Sequence, residues 1–354
     1  MNNIKRYFLP ILILLLLLSF TPILFAQDTV SIYFLDVGQG DASVIISSSG
    51  YVAMIDSGPN EKLILNHLKN LDISHIDLLI ATHAHADHIT GMDKIIAKYK
   101  PRAFMDPGIS HTSLTYIRMI NAIEKYDVKY YQSTARKIQL GLMDFSVLPS
   151  ASPKIYVSEL NNNSVVIKLE YKNFSCLFTG DIERVRENQL VKISSSNLES
   201  DIIKIPHHGS STSSTQAFIK KVNPKVAIIS CGQNNRYGHP NIKTLERLEK
   251  NGIDIYRNDT NGTILINTDG YNYEIIVEKS LNRKISKKVI NINLATLEDF
   301  VELLGIDEMI ASNILLYRTL NNGFKYPEEI KMALGIGVWE WEEWKEEGWI
   351  IVVK

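Results

Sequence analysis

Apolar runs of four to seven residues recur along the first three quarters of the chain, and runs of this length predict β-strands. The clearest lie at 30–35, 52–55, 76–82, 173–179, 201–206 and 226–230. Between them, apolar residues at helical spacing predict helices at 61–71, 93–99, 113–126 and 244–250. Strands that alternate with helices in this way indicate an α/β fold.

The strand predicted at 76–82 ends in a dense group of polar side chains, His83, His85, Asp87 and His88, separated by small alanines. Imidazole and carboxylate groups at the end of a buried strand are typical of a metal site. His83 and His85 are two residues apart and can point at one ion, whereas Asp87 and His88 point towards another. A single zinc ion takes about four ligands, so a group this dense indicates two divalent ions.

Three later strands also end in residues that ligate metals. The run at 173–179 is followed by Asp181, the run at 201–206 by His207 and His208, and the run at 226–230 by a loop that carries His239. Each residue alone is weak support, because Gly-Asp is a common turn pair. Their repetition predicts that these strand ends complete the metal site, with Asp181 placed to bridge two ions.

Three aspartates near the start of the domain follow strands in the same way: Asp36, Asp41 and Asp56. The neighbouring glycines permit sharp turns that bring these side chains back towards the histidines. We expect them to orient metal-bound imidazoles. The competing interpretation is that they are turn residues without a further role.

These residues resemble the metallo-β-lactamase superfamily and, within it, the soluble domain of ComEC-type competence DNA-uptake proteins. The matching motifs are DVGQGDA (36–42), IDSG (55–58), THAHADHITG (82–91), NNNSVVIKL (161–169), LFTGD (177–181), KIPHHGS (204–210) and NRYGHP (235–240). The resemblance implies an αββα sandwich with a dinuclear metal site at one edge. It also implies a phosphodiester substrate, and therefore a nuclease.

One position departs from the superfamily pattern. Many members place a histidine shortly before the bridging aspartate, where this chain has the asparagines 161–163. An amide oxygen suits harder cations better than zinc. We expect Asn163 to be a weak ligand at most, with zinc as the preferred ion and manganese as its competitor.

The predicted chemistry is attack on an electrophilic centre by a metal-bound hydroxide. His83, His85 and Asp181 would hold one ion, completed by Asn163 or water. Asp87, His88 and Asp181 would hold the other together with His208 or His239, and whichever of those two is not a ligand would contact or protonate the leaving group. Asp87, His208 and His239 are therefore the predicted catalytic residues.

Two other functions stay open at this point. The first is an extracellular hydrolase of a lactone, an ester or a β-lactam, which would use the same ligands. The second is a non-catalytic protein that captures DNA.

The first 26 residues predict an extracytoplasmic location. Lys5 and Arg6 precede a leucine-rich stretch at 8–20, and Ala26 offers a cleavage point, which is the pattern of a secretory signal peptide. An uncleaved membrane anchor is the alternative, and only then is membrane contact expected. Cys176 and Cys231 lie in apolar runs and are expected to be buried thiols, although a bond between them is open.

The hydrolase domain is predicted at 27–277, followed by a basic linker at 278–288 and a small all-α domain at 289–354. The last region resembles the ComEA-type DNA-binding module, with two helix-hairpin-helix units in tandem. The glycine-containing turns of such hairpins let the backbone approach a phosphate. The residues at these turns are Gly305, Gly335, Ile336 and Gly337.

Charge argues against simple DNA binding by this domain. Residues 289–354 carry five basic residues against twelve acidic ones, a net charge of −7 in a chain whose total is −1. Nucleic-acid binding draws most of its affinity from basic residues. DNA is the expected substrate, and the acidic domain contacts either DNA or a protein partner.

Overall fold

The computed structural model describes residues 28–193, 198–279, 288–304, 308–326, 329–330, 332 and 349–352. The chain divides into two compact units between Lys279 and Ser280. That division falls inside the predicted linker, and the domain limits themselves stay predictions. The predicted signal peptide and Gly305, Gly335, Ile336 and Gly337 lie outside the described residues.

The first unit is built on two large sheets. The eight-stranded sheet contains β1 (Val30–Phe34), β2 (Ser43–Ser47), β3 (Val52–Ile55), β4 (Leu78–Ile80), β5 (Ala103–Asp106), β6 (Lys129–Gln132), β14 (Ile264–Thr268) and β15 (Tyr273–Val277), in the order β15-β14-β1-β2-β3-β4-β5-β6. The seven-stranded sheet contains β7 (Arg136–Leu140), β8 (Met143–Val147), β9 (Ile167–Tyr171), β10 (Phe174–Phe178), β11 (Ile202–Lys204), β12 (Val226–Ile229) and β13 (Asp254–Arg257), in the order β13-β12-β11-β10-β9-β8-β7.

Helices connect these strands. They are α1 (Glu61–Asn70), α2 (Ala86–Ile89), α3 (Met92–Tyr99), α4 (Leu114–Lys125), α5 (Glu159–Asn162), α6 (Arg184–Ile193), α7 (Gln216–Val222), α8 (Ile242–Lys250) and α9 (Asn258–Asn261), with a 3₁₀ turn at Pro206–Gly209. The four helices predicted from apolar spacing correspond to α1, α3, α4 and α8, with ends that differ by at most two residues.

Three hydrophobic cores, which lie between the sheets and helices, hold the unit together. Phe34 of β1 and Phe178 of β10 stack with ring centroids 5.7 Å apart in the core between the sheets. A second core joins the first sheet to α1, α3 and α4, and a third joins the second sheet to α6, α7 and α8. Helices, two sheets and helices therefore form four layers, and the predicted αββα sandwich is confirmed.

Strand direction explains why the candidate residues meet. β3 and β4 are parallel neighbours in the first sheet, and β10, β11 and β12 are parallel neighbours in the second. Parallel strands end at the same edge of a sheet, as in other α/β folds in which ligands bind beyond the carboxyl ends. The residues that follow these five strands accordingly lie at one edge of the sandwich.

The second unit contains α10 (Leu297–Leu304) and α11 (Glu308–Leu320), which share a small core around Phe300 and Ile314. Apolar residues at helical spacing in the sequence also predict helices at 297–304 and 309–319, which correspond to these two. A two-stranded parallel sheet, β16 (Lys288–Asn291) with β17 (Trp349–Val352), adds to the predicted helices. Within the described parts of the chain, no helix is both long and apolar enough to cross a lipid bilayer.

Candidate metal centre

The histidine motif turns sharply after β4 and enters the short helix α2. His85 occupies the N-cap position of that helix without a capping hydrogen bond from its side chain, and His83 Nε2 lies 2.9 Å from His85 Nδ1. The rings of His83 and His88 are 4.1 Å apart, and both side chains are buried. The motif thus brings three imidazoles together within one turn of chain.

Asp181 lies among the imidazoles, as its position after β10 predicts. Its Oδ2 is 3.3 Å from His88 Nε2, 3.5 Å from His208 Nε2 and 3.9 Å from His83 Nε2. The preceding Gly180 has a φ of +54°, and a Cβ there would lie 3.0 Å from Thr82 and closer still to Ser164. Only glycine lets this strand end approach the histidine motif so closely.

His208 approaches from the second sheet, at the 3₁₀ turn after β11. Its Nδ1 lies 2.9 Å from the carbonyl oxygen of Ser230. Because a carbonyl only accepts, Nδ1 is the donor, and Nε2 keeps its lone pair. Nε2 lies 3.3 Å from Asp87 Oδ2. The backbone of His208 is left-handed, with a φ of 53°, a strain that is common at functional sites.

His88 is oriented by Asp56, which follows β3. Asp56 Oδ2 lies 2.8 Å from His88 Nδ1, and the same carboxylate accepts hydrogen bonds from Thr82 N at 2.7 Å and Thr82 Oγ1 at 2.6 Å. An imidazole that donates through Nδ1 to a carboxylate presents a bare Nε2, which is the form that ligates metals. Here that Nε2 faces Asp181.

Lys204 is the site residue that sequence reasoning missed. Its side chain is buried, its ammonium group pairs with Asp41, and it lies 3.9 Å from Asp181 Oδ1. Asp41 in turn lies 3.8 Å from His88 Nδ1 and 3.7 Å from His208 Nδ1. The signal for Lys204 was a charged residue within an otherwise apolar strand, since a buried lysine needs a partner.

The charges of the site shift its pKa values strongly. Burial by itself would raise the pKa of Asp181, but the surrounding imidazoles, His88 first among them, hold it well below its usual range. Burial lowers the pKa of His83 well below the usual histidine value. Burial opposes the charged form of His88 as well, yet the carboxylates of Asp181 and Asp56 raise its pKa. This is a cluster in which carboxylate and imidazole charges compensate one another.

The residues fit divalent cations. His88 Nε2, His208 Nε2 and Asp181 Oδ1 are buried without a hydrogen-bond partner among the described residues. Such orphaned donor and acceptor atoms are costly unless another group satisfies them. Ligand atoms of His83, His88 and Asp181 lie within 4.8 Å of one another, and so do those of Asp87, His88 and His208. Nitrogen and carboxylate oxygen are ligands that both zinc and manganese accept.

A cavity of about 300 Å³ adjoins this cluster. Asp87, Asp181 and His208 line it, as do the more exposed Tyr237 and His239. The ring of His239 lies 6.2 Å from that of His208, and its nitrogens are not part of the ligand groups found among the described residues. The structure therefore brings His208 to Asp87 and His88 and leaves His239 on the cavity wall. Burial lowers the pKa of His239 to about 4.

Two of the expected residues lie elsewhere. Asp36 pairs with Lys279 at 3.0 Å, because β1 ends two strands away from β3. The Asn163 amide donates to the carbonyl oxygens of Ile155 and Glu159 at 2.7 and 2.6 Å. The amide group of Asn163 therefore holds a loop, and the structure does not bring it to the cluster.

Asn161 lines the cavity in its place. Its side chain is buried, and its Oδ1 has no hydrogen-bond partner among the described residues. His207, next to it, contacts Glu183 at 3.4 Å and Asn161 Nδ2 at 3.5 Å. His207 thus lies at the edge of the cavity rather than in the ligand cluster.

Both cysteines are free thiols, and both are buried. Cys176 lies in β10 and Cys231 follows β12. Burial raises the pKa of each thiol, that of Cys231 to about 12. Neither is a nucleophile at neutral pH, and the expectation of two buried thiols agrees with the structure.

Comparison with known proteins identifies the family. A family model for the metallo-beta-lactamase superfamily matches residues 35–233, and one for the helix-hairpin-helix motif matches residues 285–345. The chain belongs to the metallo-β-lactamase superfamily and carries a helix-hairpin-helix motif at its C-terminal end. The sandwich, the histidine motif and the resemblance predicted from sequence agree with this assignment.

The chain is also similar to competence proteins. It is 31% identical over 260 residues to "ComE operon protein 3" of Bacillus subtilis, covering 65% of this chain and 32% of that protein. It is 26% identical over 258 residues to "Competence protein ComA" of Neisseria gonorrhoeae, covering 72% of this chain and 34% of that protein. The chain thus spans about a third of the length of these relatives.

One solved structure of this fold is the metallo-beta-lactamase fold protein YhfI from Bacillus subtilis. It is 11% identical to this chain, with a TM-score of 0.45, and the match covers 68% of this chain and 100% of that one.

Proposed function

We propose that this protein is an extracytoplasmic, metal-dependent phosphodiesterase that cleaves DNA. The proposal rests on the convergence of His83, Asp87, His88, Asp181 and His208 in one cluster, which adjoins a cavity lined by Asp87, Asp181 and His208. The similarity to proteins named for competence supports DNA as the substrate. Zinc is the preferred ion and manganese its competitor.

The residues divide into two ligand sets. His83, His85 and Asp181 would hold one cation, and Asp87, His88, His208 and Asp181 the other. Two such ions, when bound, activate water and stabilise the negative charge that develops on a phosphodiester. The carboxylate of Asp181 is the shared member of the two sets, since its Oδ2 faces imidazoles of both.

The remaining cavity residues act on the substrate. His239 lies on the cavity wall and contacts the leaving group by a hydrogen bond, while Asn161 Oδ1 is placed to bind either water or the first ion. Asp56 positions His88 through Nδ1, and the Ser230 carbonyl positions His208 in the same way. Both imidazoles are thereby fixed with Nε2 facing the cluster.

The second unit is proposed to contact DNA or a protein partner. Its helix-hairpin-helix motif favours DNA. However, Arg318 Nη1 donates to the carbonyl oxygens of Ile292 and Ala295 at 3.2 and 2.7 Å, so this arginine holds the fold of the unit. One of the five basic residues of an acidic domain is thus already engaged, and phosphate contacts depend on backbone N–H groups of the hairpins.

Hydrolysis assays test the proposal. The purified protein, loaded with zinc or manganese, is offered single- and double-stranded DNA, RNA, a β-lactam and a lactone. DNA cleavage that stops on chelation and in Asp181→Ala, but persists in Asp254→Ala, supports the proposal. Asp254 is the matched control because it is an exposed aspartate at the start of β13.

The same assay distinguishes the alternatives. Turnover of only the lactam or the lactone would make the protein a small-molecule hydrolase. DNA binding without any cleavage would make it a capture protein. Either result overturns the proposal.

A further inference from the structure

Asn235 lies in the loop between β12 and α8, and its side chain holds the backbone of that loop in shape. Its Nδ2 donates to the carbonyl oxygens of Gly232, at 2.9 Å, and of His239. Its Oδ1 accepts from Tyr237 N at 3.2 Å and from His239 N at 3.0 Å. Because both ends of one amide are used, the loop presents Tyr237 from a fixed position.

Tyr237 is an exposed aromatic residue on the wall of the active-site cavity. Its side chain is 56% exposed, and it lines the cavity together with Asp87 and His208. Its ring stacks on that of His239, with centroids 5.8 Å apart and an angle of 22° between the planes. An aromatic side chain held rigid, supported on one side and half exposed at a site indicates a binding surface.

Arg236 adds a positive charge beside this ring. Its Nη2 donates to Tyr237 Oη at 2.9 Å, and its guanidinium carbon lies 5.0 Å from the ring centroid. The side chain is exposed, and no carboxylate within 4.0 Å pairs with it in the described parts of the chain. An aromatic face next to an exposed guanidinium matches the repeating unit of a nucleic-acid strand, which is a flat base linked to a phosphate.

We propose that Tyr237 stacks against one base of a single-stranded nucleic acid next to the bond that is cleaved, and that Arg236 binds an adjacent phosphate. This inference rests on the proposed function, because it assumes a phosphodiester substrate in the cavity. A base in a duplex is stacked between its neighbours and offers no free face to the ring. The volume of about 300 Å³ is at the lower end of ligand cavities and suits one unstacked nucleotide.

The test compares oligonucleotides that carry every base with oligonucleotides that contain one abasic residue, moved along the strand. Loss of one base–aromatic stack lowers affinity by about 5- to 150-fold. Tyr237→Ala is expected to lower kcat/KM on single strands by such a factor, mostly through KM, whereas Tyr237→Phe keeps the stack and the rate. In the wild type, one abasic position is expected to produce the same loss, and Tyr237→Ala is expected to be insensitive to it.

Tyr271→Ala is the matched control. Tyr271 is 64% exposed and has Lys172 Nζ 5.5 Å from its ring centroid, so it is also an exposed tyrosine beside a cation. Tyr271→Ala is expected to leave cleavage unchanged. Arg236→Ala is expected to reduce the slope of log K against log salt by about 0.7, which is the value of one phosphate contact on a single strand.

Binding measurements separate failure of this inference from failure of the proposed function. Fluorescence anisotropy follows the same oligonucleotides, DNA and RNA, on the manganese-loaded full chain. Cleavage in which the effect of a missing base does not depend on Tyr237 overturns the stacking inference but not the proposed phosphodiesterase activity. Base-dependent binding that needs Tyr237, without cleavage, overturns the phosphodiesterase and leaves the stacking. Equal losses on base-bearing and abasic strands, or in Tyr271→Ala, overturn the inference.

Discussion

Replacing Asp56 by asparagine is predicted to weaken metal binding while the fold stays intact. Asp56 Oδ1 accepts from Thr82 N at 2.7 Å, and Oδ2 faces His88 Nδ1 at 2.8 Å. In Asp56→Asn the amide oxygen has to face the Thr82 N–H, since the opposite orientation would place two donors together. The new NH₂ group then donates to His88 Nδ1, which moves the imidazole proton to Nε2. A protonated Nε2 cannot ligate a cation.

The expected loss of metal affinity follows from the role of Asp56 as the partner that orients a metal-bound imidazole. Loss of a carboxylate that orients a metal-bound imidazole costs about 10- to 100-fold in metal affinity. This corresponds to about 1.4–2.7 kcal/mol. Asp56→Ala is predicted to cost more in folding, because Thr82 N, Thr82 Oγ1 and His88 Nδ1 all lose their acceptor. At about 1–3 kcal/mol for each buried unsatisfied group, the loss is roughly 3 kcal/mol or more.

Chelator competition measures the zinc affinity, and urea unfolding measures stability. Asp77→Asn is the matched control: Asp77 is also buried, accepts from Val52 N at 2.9 Å and contacts His75 at 3.4 Å, but it precedes β4 at the opposite end from the site. Asp77→Asn is expected to leave zinc affinity unchanged. Equal zinc affinities in wild type and Asp56→Asn, or equal losses in Asp56→Asn and Asp77→Asn, would show that Asp56 does not orient His88 for the metal.

Three further predictions concern the cluster and its ions. Lys204→Met leaves Asp41 buried without its ammonium partner, so the free energy of unfolding measured in urea should fall by about 3–5 kcal/mol. Adding Asp41→Leu to this variant should restore most of the loss, and a loss under about 1 kcal/mol would contradict the pairing. Asn161→His places an imidazole on the cavity wall and should raise the affinity for zinc relative to manganese in competition titrations. An unchanged preference between the two metals would mean that Asn161 does not face the ions. Ions at about 100 times their Kd should add about 2.7 kcal/mol to the free energy of unfolding of the loaded protein, and chelation should remove it; identical melting curves would exclude a bound metal.

The parts of the site that could be predicted are those fixed by local sequence. His83, His85, Asp87 and His88 are close in the chain, so a turn after one strand brings them together whatever the rest of the fold. Asp181 and His208 follow apolar strands, and the parallel direction of β10 and β11 carries both to the same edge. Spacing and strand ends were sufficient to predict that these side chains lie close together.

The parts that could not be predicted depend on strand order and on side-chain orientation. Asp36 and Asp56 both follow strands and both precede glycine-containing turns, but only β3 is a neighbour of β4. Asn161 and Asn163 are two residues apart, and the short helix α5 turns one amide to the cavity and the other to the backbone of Ile155. Neither distinction is encoded in a local pattern.

The choice between His208 and His239 required the structure for a similar reason. Both follow strands of the second sheet, β11 and β12, and both lie at the same edge. The Ser230 carbonyl fixes His208 with Nε2 directed at Asp87 and Asp181, while the loop held by Asn235 keeps the ring of His239 about 6.2 Å from that of His208. Partners distant in sequence decide which histidine joins the cluster.

The two-ion cluster around Asp181 is tested most directly by an anomalous-scattering map of crystals soaked with zinc. Two peaks are expected about 3.5–4 Å apart, both within about 2.0–2.2 Å of Asp181 carboxylate oxygens. One peak should contact His83 and the other His88 or His208. A single peak away from Asp181, or zinc peaks only elsewhere on the surface, would contradict the two-ion cluster.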